Sequence, residues 1–179
     1  MANFIQDKPA LMFRLFDTDK DGAITVADFH QRADQIIRQF PGADAEKTNL
    51  VRDQYDRLWN ELSDAADTDG DGRITEKEFA AVMVSATPQQ ASAMLGDRLG
   101  EFVLADQNGD GYLDRQEITQ LLKGYGVEPR QVDTVMQILD RDGDGRISMP
   151  EYRSMLAEAY VAEDPSAPGV AIFEQIHSA

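Results

Sequence analysis

Four segments of twelve residues repeat one pattern along the chain, and this repeat restricts the possible folds more than any other feature of the sequence. In each segment, oxygen-bearing side chains occupy positions 1, 3 and 5, glycine occupies position 6, an aliphatic residue position 8 and a carboxylate position 12. The segments, numbered here as loops 1 to 4, are residues 17–28, 67–78, 106–117 and 140–151. Apolar residues at helical spacing precede and follow each loop, which predicts helix–loop–helix units.

The spacing within each loop follows from the coordination chemistry of calcium. Ca²⁺ binds about six to eight hard oxygen atoms at roughly 2.3–2.6 Å and tolerates irregular geometry. Alternate side chains at positions 1, 3 and 5 turn toward one point, and glycine at position 6 permits the sharp turn that follows. One acidic turn in a chain rich in Asp and Gly is weak evidence, but four copies between helical patterns are strong evidence. The sequence therefore predicts four EF-hand calcium loops that bind three to four calcium ions.

The candidate metal ligands are the residues at positions 1, 3, 5, 7, 9 and 12 of each loop. Position 7 contributes its backbone carbonyl, and position 9 commonly acts through a water. In loops 1 and 2 the candidates are Asp17, Asp19, Asp21, Ala23, Thr25, Asp28, Asp67, Asp69, Asp71, Arg73, Thr75 and Glu78. In loops 3 and 4 they are Asp106, Asn108, Asp110, Tyr112, Asp114, Glu117, Asp140, Asp142, Asp144, Arg146, Ser148 and Glu151.

Loop 1 differs from the other three at position 12, where it carries Asp28 instead of glutamate. The side chain is one methylene shorter, so it is expected to lose bidentate reach and to favour six-coordinate binding, which magnesium tolerates better. The hypothesis is that loop 1 is the weakest calcium site and is shared between calcium and magnesium. The alternative is a small backbone shift that restores bidentate binding.

The predicted fold class is all-α: two pairs of EF-hands packed into a compact globule, because one hand alone cannot bury its apolar face. Short two-strand β bridges are expected to join the paired loops, with Ile24 beside Ile74 and Leu113 beside Ile147. The predicted division of the chain is an N-terminal pair at 1–87, a C-terminal pair at 88–162 and a tail at 163–179.

Three local features of the predicted helices are also specific. The interval between loops 1 and 2 is longer than the others, which leaves room for a helix from about Asp44 to Ala66. Pro9 is suited to the first turn of the helix before loop 1. Gly96 and Gly100 are four residues apart before loop 3, which predicts a close helix contact or a bend between the two pairs.

The charge of the chain limits its partners. The net charge is −16, and no basic patch is present, so nucleic acids and anionic membranes are excluded as partners. Most of the negative charge lies in the four loops, which hold 17 of the 33 acidic residues. The chain has no cysteine, no apolar run long enough to span a membrane and no visible secretory signal. A cytoplasmic monomer is therefore expected.

The sequence resembles the calerythrin and sarcoplasmic calcium-binding protein group of EF-hand proteins. The resemblance rests on four hands in 179 residues, the stretched interval between loops 1 and 2 and the extra tail after the fourth hand, and it covers nearly the whole chain. It implies a compact cytosolic calcium buffer or transporter with two packed lobes. Members of the group often carry a degenerate loop, whereas all four loops here keep acceptable ligands.

Three functional hypotheses follow. A buffer binds calcium and does nothing further. A sensor opens on calcium binding and captures a partner helix. The seven methionines are compatible with such a groove, because their flexible side chains adapt to different targets. An enzyme is the weakest hypothesis, because the acidic residues serve as ligands and the two histidines, His30 and His177, are expected on the surface.

The tail bears on the choice between buffer and sensor. It ends with the apolar residues Val170, Ile172, Phe173 and Ile176. They are expected either to fill the groove that a sensor opens for its target or to belong to a disordered end. In the first case, deleting residues 165–179 would expose apolar surface to a dye.

Overall fold

A computed structural model of the chain describes the backbone of residues 4–85 and 99–161 and the side chains of residues 9–83 and 99–158. Within these ranges the chain forms α-helices joined by loops that contain short strands. The helices are α1 (Phe4–Phe16), α2 (Val26–Ile37), α3 (Ala45–Ala66), α4 (Glu76–Ser85), α5 (Leu99–Ala105), α6 (Arg115–Gly124), α7 (Val132–Leu139) and α8 (Met149–Val161). The strands are β1 (Ala23–Ile24), β2 (Ile74–Thr75), β3 (Tyr112–Leu113) and β4 (Ile147–Ser148).

The predicted helix between loops 1 and 2 is confirmed as α3. It begins after Asp44, whose side chain accepts a hydrogen bond of 2.8 Å from the backbone N–H of Lys47. This contact satisfies one of the free backbone donors at the start of a helix. Because α3 ends at Ala66, it leads directly into loop 2.

The prediction for Pro9 is wrong. Helix α1 begins at Phe4, so Pro9 lies inside it and not in its first turn. Helix α1 packs against α4, where the rings of Phe13 and Phe79 meet with their centroids 5.9 Å apart. Proline in a later turn leaves one backbone carbonyl of the helix without its usual donor, and tertiary context can outweigh this local preference.

The predicted strand pairs are confirmed. Strands β1 and β2 are antiparallel with Ile24 opposite Ile74, and β3 and β4 are antiparallel with Leu113 opposite Ile147. All four aliphatic side chains are fully buried. Loop 1 is thereby fixed beside loop 2, and loop 3 beside loop 4.

The two pairs of hands pack against each other through one continuous apolar core. Two glycines permit the close approach of their helices. A Cβ atom at Gly100 of α5 would lie 2.9 Å from the carbonyl oxygen of Leu50 on α3, and one at Gly124 of α6 would lie 2.9 Å from Cα of Ile36 on α2. The predicted close contact is therefore confirmed for Gly100, whereas Gly96 lies outside the described residues.

Two further predictions fall outside the described residues, namely the boundary between the pairs at residues 87 and 88 and the tail at 163–179. A separate finding concerns membranes: among the helices that the structure describes, none combines the length and the apolar character needed to cross a bilayer.

Candidate metal centres

The aspartate at position 1 organises each loop around itself. One carboxylate oxygen accepts the backbone N–H of the glycine at position 6, at distances of 3.1, 2.9, 3.0 and 2.8 Å in loops 1 to 4. The same side chain also accepts a backbone N–H from position 4 or 5. The aspartates are Asp17, Asp67, Asp106 and Asp140. These contacts wrap the backbone of each loop around one carboxylate.

The carboxylate at position 12 closes the loop from the opposite side. In loop 2, Oε1 of Glu78 accepts the N–H of Thr68 at 3.1 Å and Oε2 accepts the N–H of Thr75 at 2.9 Å. Glu117 in loop 3 accepts from the N–H groups at the same positions at 2.9 and 2.9 Å, and Glu151 in loop 4 at 2.8 and 2.8 Å. One carboxylate therefore joins the start and the end of each loop.

These hydrogen bonds also favour the ionised form of Glu78 and Glu151. The hydroxyl of Thr68, together with the N–H and hydroxyl of Thr75, lowers the pKa of Glu78 to about 2. Because its pKa in the folded state is depressed, Glu78 stabilises the fold above its unfolded value of 4.5, and this contribution is lost as the pH falls toward 2. For Glu151, burial acts to raise the pKa, but hydrogen bonds led by those from Ser148 outweigh it and lower the pKa.

Asp28 reaches the same positions in loop 1 despite its shorter side chain. Its Oδ1 accepts the N–H of Thr18 at 2.8 Å, and its Oδ2 accepts the N–H of Thr25 at 2.8 Å. The Asp28 side chain is buried, as is that of Asp17 at position 1. Burial, together with the charge of Asp28, raises the pKa of Asp17 above its ordinary value. The acidic site of loop 1 is therefore more enclosed than that of the exposed loop 2.

Carboxylate oxygens converge in three of the loops. In each group one oxygen from each of three residues lies within 4.8 Å of the others. The groups are Asp17, Asp19 and Asp28 in loop 1, Asp67, Asp69 and Asp71 in loop 2, and Asp140, Asp142 and Glu151 in loop 4. In loop 3 the amide of Asn108 occupies position 3, and its Oδ1 accepts the N–H of Asp110 at 2.8 Å.

The side chains at positions 5 and 9 and the backbone at position 7 take part in hydrogen bonds or secondary structure at each loop. At position 5, Asp21, Asp71, Asp110 and Asp144 accept the backbone N–H of position 7 at 2.8 to 3.0 Å. At position 7, Ala23 and Tyr112 begin strands β1 and β3, while Arg73 and Arg146 directly precede β2 and β4. At position 9, Thr25 and Asp114 are the N-cap residues of α2 and α6, and the hydroxyls of Thr75 and Ser148 donate to Glu78 and Glu151.

The donor set fits a hard divalent cation. Carboxylate, amide and backbone carbonyl oxygens suit Ca²⁺ and Mg²⁺, whereas softer transition metals prefer sulfur and imidazole ligands. The chain contains no cysteine. Of the two histidines, His30 is exposed and its Nε2 lies in hydrogen-bond contact with Oδ1 of Asp56 at 2.8 Å, and His177 lies outside the described residues.

Position 4 of the loops is a feature that the sequence reasoning missed. Gly70, Gly109 and Gly143 occupy it in loops 2 to 4, with φ between +72° and +76°. Loop 1 has Lys20 there, with φ of +62°. A left-handed residue other than glycine costs about 1–2 kcal/mol. The signal was visible in the sequence, since glycine occupies this position in every loop but the first.

A second missed feature is the cation that each paired loop presents to its neighbour. Arg73 of loop 2 forms an ion pair of 3.0 Å with Oδ2 of Asp21 in loop 1, and this bond lowers the pKa of Asp21. Arg146 of loop 4 stacks on the ring of Tyr112 in loop 3, with its guanidinium carbon 4.0 Å from the ring centroid. In the first pair of loops, Arg73 therefore contacts an oxygen of Asp21, which is itself a candidate metal ligand.

Helix–loop–helix units with oxygen-lined loops, paired through short antiparallel strands, define a class of calcium-binding proteins. The family model of the EF-hand domain pair matches residues 9–84 and 100–157, which is more than half of the chain. The chain belongs to this EF-hand family.

Individual relatives agree with this assignment. Calerythrin of Saccharopolyspora erythraea is 26% identical over 151 residues, which cover 81% of this chain and 85% of the relative. The solved structure of a calcium-binding protein from Streptomyces coelicolor matches with a TM-score of 0.77 and 26% identity, over 89% of this chain and 99% of that chain. A sarcoplasmic calcium-binding protein from amphioxus has a TM-score of 0.68 at 18% identity, over 96% of this chain and 97% of that chain.

The resemblance to the calerythrin and sarcoplasmic calcium-binding protein group is thereby confirmed, the amphioxus protein supporting it through its fold. Calcium-dependent protein kinases of rice and Arabidopsis thaliana also match, but the chain spans only 22% to 26% of their length. The similarity to the kinases is therefore confined to a small part of their sequence.

Proposed function

We propose that the protein is a monomeric, cytoplasmic calcium buffer with one lobe at residues 1–87 and another at 88–162. Each loop holds its ion through the oxygens at positions 1, 3, 5, 7, 9 and 12, and bound cations offset the negative charge concentrated there. In this role the loops bind and release ions and catalyse no reaction.

One observation supports a buffer over a sensor: the apolar faces of the two pairs cover each other. Val26 and Leu50 are the large hydrophobic side chains exposed within the described ranges, at 39% and 40%. Ile36 of α2 and Phe102 of α5 lie in the shared core, at 0% and 2% exposure. A sensor presents an apolar groove to its target helix after binding calcium. Here such a groove would first require the two pairs to separate.

The test is a calcium titration of the whole chain in the presence of an apolar fluorescent dye and, separately, of a basic amphipathic peptide. We expect calcium to bind without increasing the dye signal and without capture of the peptide. Calmodulin, treated in the same way, is the positive control. Calcium-dependent capture of the peptide would show that the protein is a sensor and not a buffer.

We further propose that loop 1 is the weakest calcium site and is shared with magnesium. Three features of loop 1 support this: the shorter Asp28, the left-handed Lys20 and the ion pair between Arg73 and Asp21. The positive charges of Lys20 and Arg73 repel a divalent ion, and the short carboxylate of Asp28 favours a six-coordinate geometry.

Exchanging the position-12 residue tests this assignment. Asp28→Glu is expected to raise the calcium affinity of loop 1 severalfold and to reduce competition by magnesium, because the longer side chain extends both oxygens further toward the ion. Calorimetric calcium titrations with and without millimolar magnesium measure both quantities. Glu78→Asp in loop 2 is the reciprocal variant, and we expect it to acquire the magnesium sensitivity of loop 1. Unchanged affinity and selectivity of loop 1 in Asp28→Glu would defeat the assignment.

A further inference from the structure

A buried carboxylate lies outside all four loops. Glu101 of α5 is 0% exposed, and tyrosine hydroxyls from three other parts of the chain donate to it. The hydroxyl of Tyr55 lies 2.7 Å from Oε1, that of Tyr125 lies 2.7 Å from each oxygen, and that of Tyr152 lies 2.8 Å from Oε2. We call these four residues the Glu101 cluster.

The geometry of this cluster is specific in a way that apolar packing is not. A buried carboxyl group is costly unless donors surround it, and each donor must keep its position for the group to remain satisfied. An apolar side chain of similar size would fill the same space without such a requirement. The cluster therefore resists relative movement of the helices that carry it.

Each member of the cluster lies on or directly beside a helix that flanks a metal loop. Glu101 lies on α5, which leads into loop 3, and Tyr125 directly follows α6, which leaves loop 3. Tyr152 follows Glu151, the last residue of loop 4. Tyr55 lies on α3, which leads into loop 2. The contact of Tyr55 with Glu101 thus connects the two pairs of loops, whereas that of Tyr152 stays within the second pair.

Helix α3 contacts the entry helix of loop 3 at further points. Oε1 of Gln54 accepts the backbone N–H of Gly100 at 2.8 Å, next to the close approach of Gly100 to Leu50. At the start of α3, Nζ of Lys47 donates to the backbone carbonyl of Asp106, the first residue of loop 3. The N-terminal end of α3 therefore contacts loop 3, and the C-terminal end of α3 leads into loop 2.

We propose that the Glu101 cluster couples calcium binding in loop 3 to calcium binding in the first pair of loops. An ion in loop 3 holds α5 at one angle, and only that angle lets Glu101 keep the hydroxyl of Tyr55. Displacement of α5 leaves a buried carboxylate oxygen or hydroxyl without its partner, which opposes the movement of α3 and of loop 2. The coupling is reciprocal, as thermodynamics requires. It rests on the proposed function, namely that the loops bind calcium.

The experiment measures the calcium midpoint of the first pair with loop 3 intact and disabled. Trp59, the single tryptophan, lies on α3 with its ring centroid 5.7 Å from that of Phe29, and its fluorescence reports on the first pair. Glu117→Gln disables loop 3. We expect this change to shift the Trp59 midpoint to about fivefold higher calcium or more, within the usual range of coupling between sites.

Two matched variants then separate coupling from stability. Tyr55→Phe removes a hydroxyl that joins the two pairs, and Tyr152→Phe removes one that stays within the second pair; both tyrosines are buried and donate to the same carboxylate. The shift caused by Glu117→Gln should fall at least twofold in the Tyr55→Phe background and stay unchanged in the Tyr152→Phe background. Circular dichroism confirms that each variant is folded. If Tyr55→Phe is not, Gln54→Leu replaces it, since Gln54 also joins α3 to α5 through the N–H of Gly100 and through Glu101.

The outcomes distinguish the two proposals. If the wild-type chain shows no calcium transition, the proposed calcium sites are wrong. If it shows one, and Glu117→Gln leaves the Trp59 midpoint in place, the coupling is absent and calcium binding stands. An equal loss of the shift in Tyr55→Phe and Tyr152→Phe would also overturn the role of the cluster as a link between the pairs.

Discussion

Millimolar calcium is expected to raise the free energy of unfolding of the metal-free protein by about 8 kcal/mol, at about 2.7 kcal/mol for each of three sites filled at a hundred times the dissociation constant. Without a cation, three of the loops hold three carboxylate oxygens within 4.8 Å of one another. Their mutual repulsion opposes folding, and a divalent ion removes it. The midpoint of thermal unfolding should rise by about 15–30 °C. Circular dichroism during heating, once in the presence of a chelator and once in about 1 mM calcium, measures this shift.

Variants at matched acidic positions show whether the loops cause this stabilisation. Glu78→Gln removes the carboxylate that closes loop 2 and should reduce the calcium-dependent increment by about 3 kcal/mol, the contribution of one site. Glu61→Gln makes the same chemical change at an exposed position of α3 and should leave the increment intact. Equal increments in both variants would show that calcium acts elsewhere. An increment of about 5 kcal/mol or less in the wild type would mean that fewer than three sites are filled.

The loops and their pairing could be predicted because their causes are local. Calcium coordination fixes residue types at set intervals within twelve residues, so one stretch of sequence contains the whole pattern. The aliphatic residue at position 8 then predicts the strand pairs, and Ile24 does lie opposite Ile74. The limits of α3 follow in the same way from Asp44 at its start and loop 2 at its end.

The Glu101 cluster could not be predicted, because its members are far apart in sequence. Tyr55 and Tyr152 are 46 and 51 residues from Glu101, on helices whose relative placement no periodicity reveals. A glutamate in an otherwise apolar helix of a strongly acidic chain is ordinarily a solvated surface residue. Only the tertiary packing of α3, α5 and α8 shows that this one is buried.

Glu101→Ala is expected to lower the free energy of unfolding by about 3–5 kcal/mol in saturating calcium, because each buried hydroxyl left without its acceptor costs about 1–3 kcal/mol. The change deprives the hydroxyls of Tyr55, Tyr125 and Tyr152 of their acceptor in the core. The hydroxyls of Tyr55 and Tyr125 lie 3.2 Å apart and can bond to each other, so the loss is partly offset there. Urea unfolding followed by Trp59 fluorescence measures the difference.

Two further variants separate the lost acceptor from the lost charge. Glu101→Gln keeps one side-chain oxygen as an acceptor and should lower the free energy of unfolding by only about 1–2 kcal/mol. Glu61→Ala truncates an exposed glutamate and should change it by less than about 0.5 kcal/mol. The order Glu101→Ala, then Glu101→Gln, then Glu61→Ala is the signature of a buried acceptor. A loss below about 1 kcal/mol for Glu101→Ala would show that the tyrosine hydroxyls find other partners, and that the cluster adds little to the packing between the two pairs of hands.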